Sequence, residues 1–346
     1  MTFKLNIVAK PVVLASALML SAGSVLADAA PAALIVAQGG LGDGSWNDTA
    51  YAGFQAGIAA AGIEGRAIES NDVVAQGEEI MRRAADAGFG LVLSLEYSHG
   101  EPMVALAQDY PDTNWVIYNQ VREGANIASV LFGEHEGSYL AGMLAAQMTT
   151  LEGVEGINPE AILGVIAAIR SPGIDKFVVG FMQGAMAINP DITVQVSYAD
   201  TFGDPTKGEQ MANAMFESGA DIIYHIAGGT GIGVIAAAES SGHYAIGVDT
   251  DQDGMAPGHV LTSMIKRVDV ATQQLVEAYA ADEFPGGETV TFGLAENGVG
   301  LSAMEYTRDI IPQDFLDRIE SARLAIIAGE IDVWDVSEQG YPEFFQ

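Results

Sequence analysis

The chain has 346 residues, of which 49% are hydrophobic, and a formal net charge of −32. This hydrophobic content argues against disorder as the main state, and so acidic a surface repels nucleic acid and anionic lipid, which excludes both as partners. The length suits two domains better than one. The sequence contains no cysteine, so it offers neither a disulfide nor a lipid-modified cysteine.

Residues 1–27 have the three parts of a secretory leader. Lys4 and Lys10 precede or flank an apolar run over 12–26, and Val25-Leu26-Ala27 forms a cleavage motif. The run is too short and too rich in small residues for a spanning helix. We therefore expect cleavage after Ala27 and a periplasmic protein that has no lipid anchor.

Strand-like apolar runs and helical patterns then alternate along the chain. The predicted strands are 33–37, 66–70, 90–95, 115–119, 127–132, 162–169, 194–199, 222–227, 244–248 and 290–294. The predicted helices lie near 48–61, 74–87, 102–110, 137–148, 174–188, 206–218, 231–241, 268–281 and 312–328. This alternation predicts an α/β fold with parallel sheets made of βαβ units, arranged as two lobes of like topology.

The elements that follow Lys266 indicate that the chain returns to its first lobe and then crosses back. Three crossings would form a hinge. We therefore predict an N-terminal lobe of residues 28–123 plus 261–288, and a C-terminal lobe of residues 124–260 plus 289–346.

A polar cluster marks the region 221–269. The turn Gly228-Gly229-Thr230-Gly231 opens a helix, Asp249 and Asp251 end the next strand, and Lys266 lies on the strand after that. Ligands of open α/β sheets bind at the carboxyl ends of strands, beside helix amino termini. A small ligand rich in hydroxyl groups fits this pattern; a simple salt bridge between Asp249 and Lys266 is the alternative.

Polar and aromatic residues in two other loops are further candidates. Asn47 and Asp48 stand where the first loop becomes a helix, so one of them could be only an N-cap. Together, an amide and a carboxylate can also read the edge of a heterocycle. Phe202 and Trp46 occupy loops, where side chains are exposed, and a flat base could stack on them. Phe177 has helical spacing and is predicted to be core.

Catalytic and metal-binding patterns are weak. The histidines are scattered, which offers no zinc site. The segment DTDQDG at 249–254 matches the start of a calcium loop, but Val260 stands where the bidentate Glu is required. Gly231-Ile232-Gly233 and Ala236 match a dinucleotide fingerprint formally, in a late βα unit. We expect the protein to bind no metal and no cofactor and to have no enzymatic activity.

Several segments, in order, resemble one family. They are GLGDGSWNDTAYAGF (40–54), YPDTNWVIYN, EHEGSYLAGMLAA, GIDKFVVGFMQGA, YADTFGDPTKG, IAGGTGIGV, IGVDTDQ and SMIKRVDVA. The chain resembles the basic membrane lipoprotein, or PnrA-like, family of ABC-transporter solute-binding proteins, which includes purine-nucleoside receptors. The resemblance implies a type I periplasmic-binding-protein fold, with two Rossmann-like lobes enclosing the ligand.

The resemblance also implies a role for each candidate residue. Asn47 and Asp48 would read the base edge with help from Glu101, and Phe202 would stack on the base. Gly229, Asp249 and Lys266 would hold the ribose. Purine-nucleoside members tend to have a second stacking aromatic where this chain has Gly42, and Trp46 lies nearby as a substitute.

The expected function is therefore capture of a purine nucleoside by a monomeric receptor that passes it to a membrane permease. Riboflavin, which some relatives bind, a free purine base or another heterocycle is an alternative ligand. A ligand sensor of the same fold is an alternative function. A dinucleotide-dependent enzyme is disfavoured, because an exported protein would lack a recycled nicotinamide pool.

Overall fold

The computed structural model describes residues 29–345 as two six-stranded sheets with helices on their faces. The leader predicted over residues 1–27 lies outside the described residues. Within residues 29–345, no helix is both long and apolar enough to cross a membrane.

The elements follow one another in regular alternation. The strands are β1 (Ala32–Ile35), β2 (Gly65–Ile68), β3 (Leu91–Ser94), β4 (Asn114–Tyr118), β5 (Ile127–Phe132), β6 (Ile162–Ala167), β7 (Thr193–Tyr198), β8 (Ile222–Ile226), β9 (Tyr244–Asp249), β10 (Val260–Lys266), β11 (Thr289–Phe292) and β12 (Val299–Leu301). The helices are α1 (Trp46–Ala61), α2 (Gly77–Asp86), α3 (Gly100–Asp109), α4 (Glu134–Met148), α5 (Pro172–Ile188), α6 (Pro205–Glu217), α7 (Gly229–Ser241), α8 (Val268–Ala280), α9 (Gln313–Ile327) and α10 (Val336–Gln339). Each predicted strand and helix is present near its predicted bounds.

The first sheet has the strand order β11-β5-β4-β3-β1-β2 and is parallel throughout. Strands β1 and β3 are buried at every position, because helices cover both faces of a parallel sheet. Helices α2 and α3 pack on one face and α1 and α8 on the other.

The second sheet has the order β12-β10-β9-β8-β6-β7, and β12 runs antiparallel to β10. Helices α6 and α7 cover one face, and α4 and α5 the other. The backbones of α4 and α5 touch: a Cβ added at Gly142 would lie 2.0 Å from the carbonyl oxygen of Phe181, and one at Gly184 would lie 2.0 Å from that of Tyr139. Glycine is required here because no side chain fits between the helices.

The chain passes between the sheets three times: from β5 to α4, after β10, and from β11 to β12. The lobe boundaries differ from the predicted ones. Strand β5 pairs with β4 in the first sheet, and β11 adds beside β5, although both were predicted in the second lobe. Strand β10 pairs with β9 in the second sheet, although it was predicted in the first lobe. Short connections keep β5 beside β4 and β10 beside β9, and α4 carries the chain across.

Candidate functional site

A cavity of about 170 Å³ lies between the two lobes, at the carboxyl ends of their strands. The first lobe contributes the segments that follow β1, β3 and β4. The second lobe contributes those that follow β6 to β8, together with the ends of β9 and β10. A concave, mainly apolar cavity with a few converging polar groups is the usual form of a small-molecule site.

Asp43 fixes the loop after β1 and lines the cavity. Its carboxylate accepts hydrogen bonds from the backbone N–H groups of Ser45 (3.0 Å), Asn47 (2.9 Å) and Asp48 (3.1 Å). Burial raises the pKa of Asp43, and these three donors oppose that rise. The N-cap position of α1 is Ser45, and it is Asp43, not Asn47 or Asp48, whose side chain accepts from the first N–H groups of the helix.

Asp48 does not line the cavity. Its two carboxylate oxygens accept from the backbone N–H groups of Gly42 and Gly44, each at 2.8 Å, so Asp48 shapes the loop. Asn47 does line the cavity. Its amide accepts from the N–H of Ala37 (2.9 Å) and donates to the carbonyl of Gln38 (3.3 Å), which leaves one amide N–H for a ligand.

Glu101 is exposed and pairs with Arg122 at 3.2 Å, outside the cavity. The carboxylate that lines the cavity on this side is Glu96, which is buried two residues beyond β3. It accepts from the backbone N–H groups of Gln38 and Ser98, each at 3.2 Å. The acidic side chain predicted at Glu101 is thus supplied by Glu96.

Lys266 ends β10 with its ammonium group in the cavity wall. The Nζ atom lies 2.7 Å from the carboxylate of Glu134 and donates to the side chain of Asn119 at 3.0 Å. Glu134 also pairs with Lys176, at 2.5 Å. Burial raises the pKa of Glu134, but the two lysines outweigh burial and lower it to about 2. The predicted alternative was a salt bridge between Lys266 and Asp249. Lys266 pairs with Glu134 instead.

Asp249 ends β9 with a left-handed backbone (φ 68°) and lines the cavity. One carboxylate oxygen accepts from the hydroxyl of Ser45 at 2.5 Å, across the gap between the lobes. Burial raises the pKa of Asp249 to about 6, against the opposing effects of Lys266 and Ser45. Its second oxygen has no protein partner among the described residues and can accept from a ligand hydroxyl.

Aromatic side chains supply much of the remaining wall. Phe202 lies half-buried in the loop after β7, and Tyr97 is 54% exposed at the rim. The Trp46 ring packs edge-on to Tyr118, with 5.8 Å between ring centroids, and its own centroid lies 4.2 Å from Nζ of Lys266. Phe177, predicted to be core, is buried but also lines the cavity.

The glycine turn before α7 has two roles. Gly228 lines the cavity with a φ of 52°, whereas Gly229 begins the helix behind it and does not. A Cβ added at Gly231 would lie 1.9 Å from the His225 ring, and one at Gly233 would lie 1.8 Å from the Pro205 carbonyl. The glycines of the formal dinucleotide match therefore serve packing.

The structure brings together five of the eight predicted site residues, namely Trp46, Asn47, Phe202, Asp249 and Lys266. Asp48, Glu101 and Gly229 lie outside the cavity wall. Residues not predicted to touch a ligand, Asp43, Glu96, Asn119 and Phe177, join the wall. Glu96 and Asn119 lie within two residues of the carboxyl ends of β3 and β4, and that signal could have identified them.

Comparison with known sequences gives a consistent result. A family model described as ABC transporter substrate-binding protein, PnrA-like, matches residues 30–336. The nucleoside-binding protein BmpA of an ABC transporter from Lactococcus lactis subsp. cremoris is 30% identical, with 87% of this chain and 88% of that protein covered. The CD4+ T-cell-stimulating antigen of Listeria monocytogenes is 31% identical, with 87% of each chain covered.

Solved structures show the same architecture. An ABC-transporter solute-binding protein from Aeropyrum pernix K1 superimposes with a TM-score of 0.80 and 25% identity, over 89% of this chain and 94% of that one. A solute-binding protein from Conexibacter woesei gives a TM-score of 0.70 at 22% identity, over 92% and 100%. These likenesses confirm the predicted two-lobed α/β fold.

Proposed function

The chain belongs to the PnrA-like family of ABC-transporter substrate-binding proteins, as its motifs predicted, and from that premise we propose that it captures a purine nucleoside between its lobes. The observation that carries the proposal is the mixed wall of the cavity. Aromatic faces, three buried carboxylates and one buried ammonium group converge there from both lobes. A nucleoside offers matching parts, since its base is flat and its ribose carries hydroxyl groups.

The base binds, in this proposal, beside Phe202, whose half-buried ring is available for stacking. Such a stack contributes roughly 1–3 kcal/mol. Glu96 and the remaining N–H of Asn47 recognise polar atoms at the base edge. Base recognition is thus assigned to Glu96 in place of Asp48 and Glu101.

The ribose hydroxyls bind at Asp249 and Lys266. A carboxylate oxygen accepts from a hydroxyl, and a neighbouring ammonium group donates to one, in charge-assisted hydrogen bonds. Asp249 has one oxygen that Ser45 does not occupy, and Glu134 and Asn119 hold the ammonium group of Lys266 in the wall. Both groups belong to the second lobe, as does Phe202, whereas Asn47 and Glu96 at the base edge belong to the first, so the ligand contacts both lobes.

Delivery to a membrane permease completes the proposed role. Members of this family are binding components of ABC transporters and act outside the cytoplasm; for this chain we propose the periplasm, on the strength of the predicted leader. Contacts to a ligand from both lobes favour the closed arrangement of the lobes, which is the form that a permease would recognise. The protein acts as a monomer and without a cofactor in this proposal.

A thermal-shift screen tests the ligand class directly. Inosine, guanosine and adenosine are compared with adenine, ribose and riboflavin. A ligand present at 100 times its Kd should stabilise the protein by roughly 2.7 kcal/mol, which gives a clear rise in Tm. A rise with nucleosides supports the proposal. A rise with riboflavin or adenine alone would assign the site to one of the alternative ligands.

A further inference from the structure

We propose that Gln252 latches the two lobes together through the loop at Gly44 and Ser45, and that it sets ligand affinity from outside the cavity. The side chain of Gln252 is buried and does not belong to the cavity wall. The part of the inference that concerns affinity rests on the proposed function. The part that concerns closure does not.

Two hydrogen bonds carry the inference. The amide Nε2 of Gln252 donates to the carbonyl of Gly44 at 2.9 Å, and the hydroxyl of Ser45 donates to Asp249 at 2.5 Å. Both cross from one lobe to the other and end on adjacent residues of one loop. Within residues 29–345, the other hydrogen bonds between the lobes lie at the chain crossings, such as those from Lys266 to Asn119 and from Lys176 to the Phe132 carbonyl.

The second-lobe side of the latch is held in place before the lobes meet. The Oε1 atom of Gln252 accepts from the backbone N–H of Val248 (2.9 Å) and lies 2.8 Å from Nε2 of His225. Its backbone N–H donates to the hydroxyl of Ser263 at 3.0 Å. Since Oε1 faces two donors, the amide Nε2 must point away from them, toward the first lobe.

The first-lobe side is equally fixed. Asp48 accepts from the N–H groups of Gly42 and Gly44, and Asp43 accepts from three N–H groups that follow. Gly44 has a φ of 57°, which favours glycine and presents its carbonyl outward. Two rigid partners lose little conformational freedom when they meet, so their hydrogen bonds retain most of their strength. This gives Asp48 a function that does not require it to touch the ligand.

A latch of this kind acts on affinity through the population of the closed form. The apparent Kd equals the intrinsic Kd divided by the fraction of binding-competent protein. Loss of one such hydrogen bond should therefore weaken binding roughly two- to tenfold. The ligand contacts themselves stay unchanged, because Gln252 lies outside the cavity wall.

Gln252→Glu is the discriminating variant. A carboxylate still accepts from Val248 and His225, but it cannot donate and places its charge against the Gly44 carbonyl. Gln195→Glu is the matched control, because it makes the same charge change on β7 of the same lobe, where Gln195 accepts from Ser218. Melting curves followed by circular dichroism establish that both variants are folded.

Pairs of spin labels measure the closure without any ligand. The chain has no cysteine of its own, so Ala75→Cys and Glu209→Cys, at exposed positions on the two lobes, provide unique labelling sites. We expect the ligand-free wild type and Gln195→Glu to show a short-distance population, and Gln252→Glu to lose it. Identical distance distributions in all three, or a wild type with only the long distance, would overturn the latch.

Calorimetric titration with inosine adds the affinity readout. Gln252→Glu should bind inosine roughly two- to tenfold more weakly than Gln195→Glu. If the short distance is lost but the Kd is unchanged, the effect of Gln252 on affinity is refuted. If inosine does not bind the wild type at all, the proposed function fails, and the distance measurement still decides the latch.

Discussion

The ammonium group of Lys266 lies 2.7 Å from the carboxylate of Glu134, and both side chains are almost completely buried. The other carboxylate oxygen of Glu134 pairs with the ammonium group of Lys176. Two lysines and one carboxylate form a buried triad at the place where the chain first changes lobe. Glu134 does not line the cavity, but it holds the ammonium group of Lys266 in the cavity wall and is therefore a positioning residue.

Glu134→Gln should destabilise the protein by about 3–5 kcal/mol, because two buried lysines lose their shared counter-ion. Chemical denaturation of the ligand-free protein measures the change. Glu320→Gln is the control: Glu320 pairs with Arg323 at the surface, and exposed pairs contribute less than about 1 kcal/mol. Equal effects of the two substitutions would show that the triad contributes no more than a surface pair.

The pKa of Glu134 also fixes the sign of its pH dependence. The folded value of about 2 lies below the ordinary value of 4.5. Its stabilising contribution is therefore fully present above pH 4.5 and declines as the pH falls toward 2. Acid denaturation measures this dependence. Between pH 4.5 and pH 2 the wild type should lose more free energy of unfolding than Glu134→Gln does.

Ligand affinity should fall in mild acid because of Asp249. Burial raises the pKa of this carboxyl group to about 6, and a ribose hydroxyl donates best to the ionised form. If the ionised form alone binds, the Kd for inosine should rise about tenfold from pH 7 to pH 5. Asp249→Asn should bind weakly and with a flat profile over this range. A flat wild-type profile would remove Asp249 from the ligand contacts.

Glu96 and Glu101 form a natural pair of test positions. Glu96 is buried in the cavity wall, whereas Glu101 pairs with Arg122 at the surface. Glu96→Gln should weaken nucleoside binding by about 1.5–3 kcal/mol, the usual worth of a hydrogen bond to a charged group. Glu101→Gln should leave the Kd unchanged. The reverse outcome in calorimetry would restore the original assignment to Glu101.

Phe202→Ala should weaken binding by about 1–3 kcal/mol and do so similarly for inosine, guanosine and adenosine, because stacking tolerates any purine. The half-buried loop position predicts an unchanged Tm for the ligand-free variant. Phe315→Ala removes a comparably buried ring from α9, away from the cavity, and should not alter the Kd. A cooperative loss of folding in Phe202→Ala would show that its ring is structural.

The alternation of strands and helices was predictable because the buried strands are mainly apolar, as in β1 and β3. Lobe membership was not, because pairing depends on partners far along the chain. Strand β5 begins like the first strand of a new lobe, yet it adds beside β4. Strand β11 has no sequence feature that indicates its return to β5. Thr289 pairs with Ser129 and Phe292 with Phe132, in each case 160 residues apart in the sequence.

The candidate site divides along similar lines. Asp249, Lys266 and Phe202 follow strands or occupy loops, so the carboxyl-end rule predicts them. Phe177 sits on a helix with core spacing, and nothing in that spacing shows that the first turn of α5 faces a cavity. Asp48 and Glu101 carry carboxylates, as predicted, but these lie outside the cavity. The carboxylates of Asp43 and Glu96 line it instead.

The position of the Lys266–Glu134 pair bears on the order in which the two lobes would contact a ligand. Lys266 ends the last strand before one crossing, and Glu134 begins the helix after another. A rotation of the lobes about these crossings would separate Ser45 from Asp249 but would leave Lys266 beside Glu134, because both residues belong to the second lobe. In the proposed function, a solute that enters the open form therefore meets an ammonium group that Glu134 already holds, and the opposite end of the solute is enclosed afterwards.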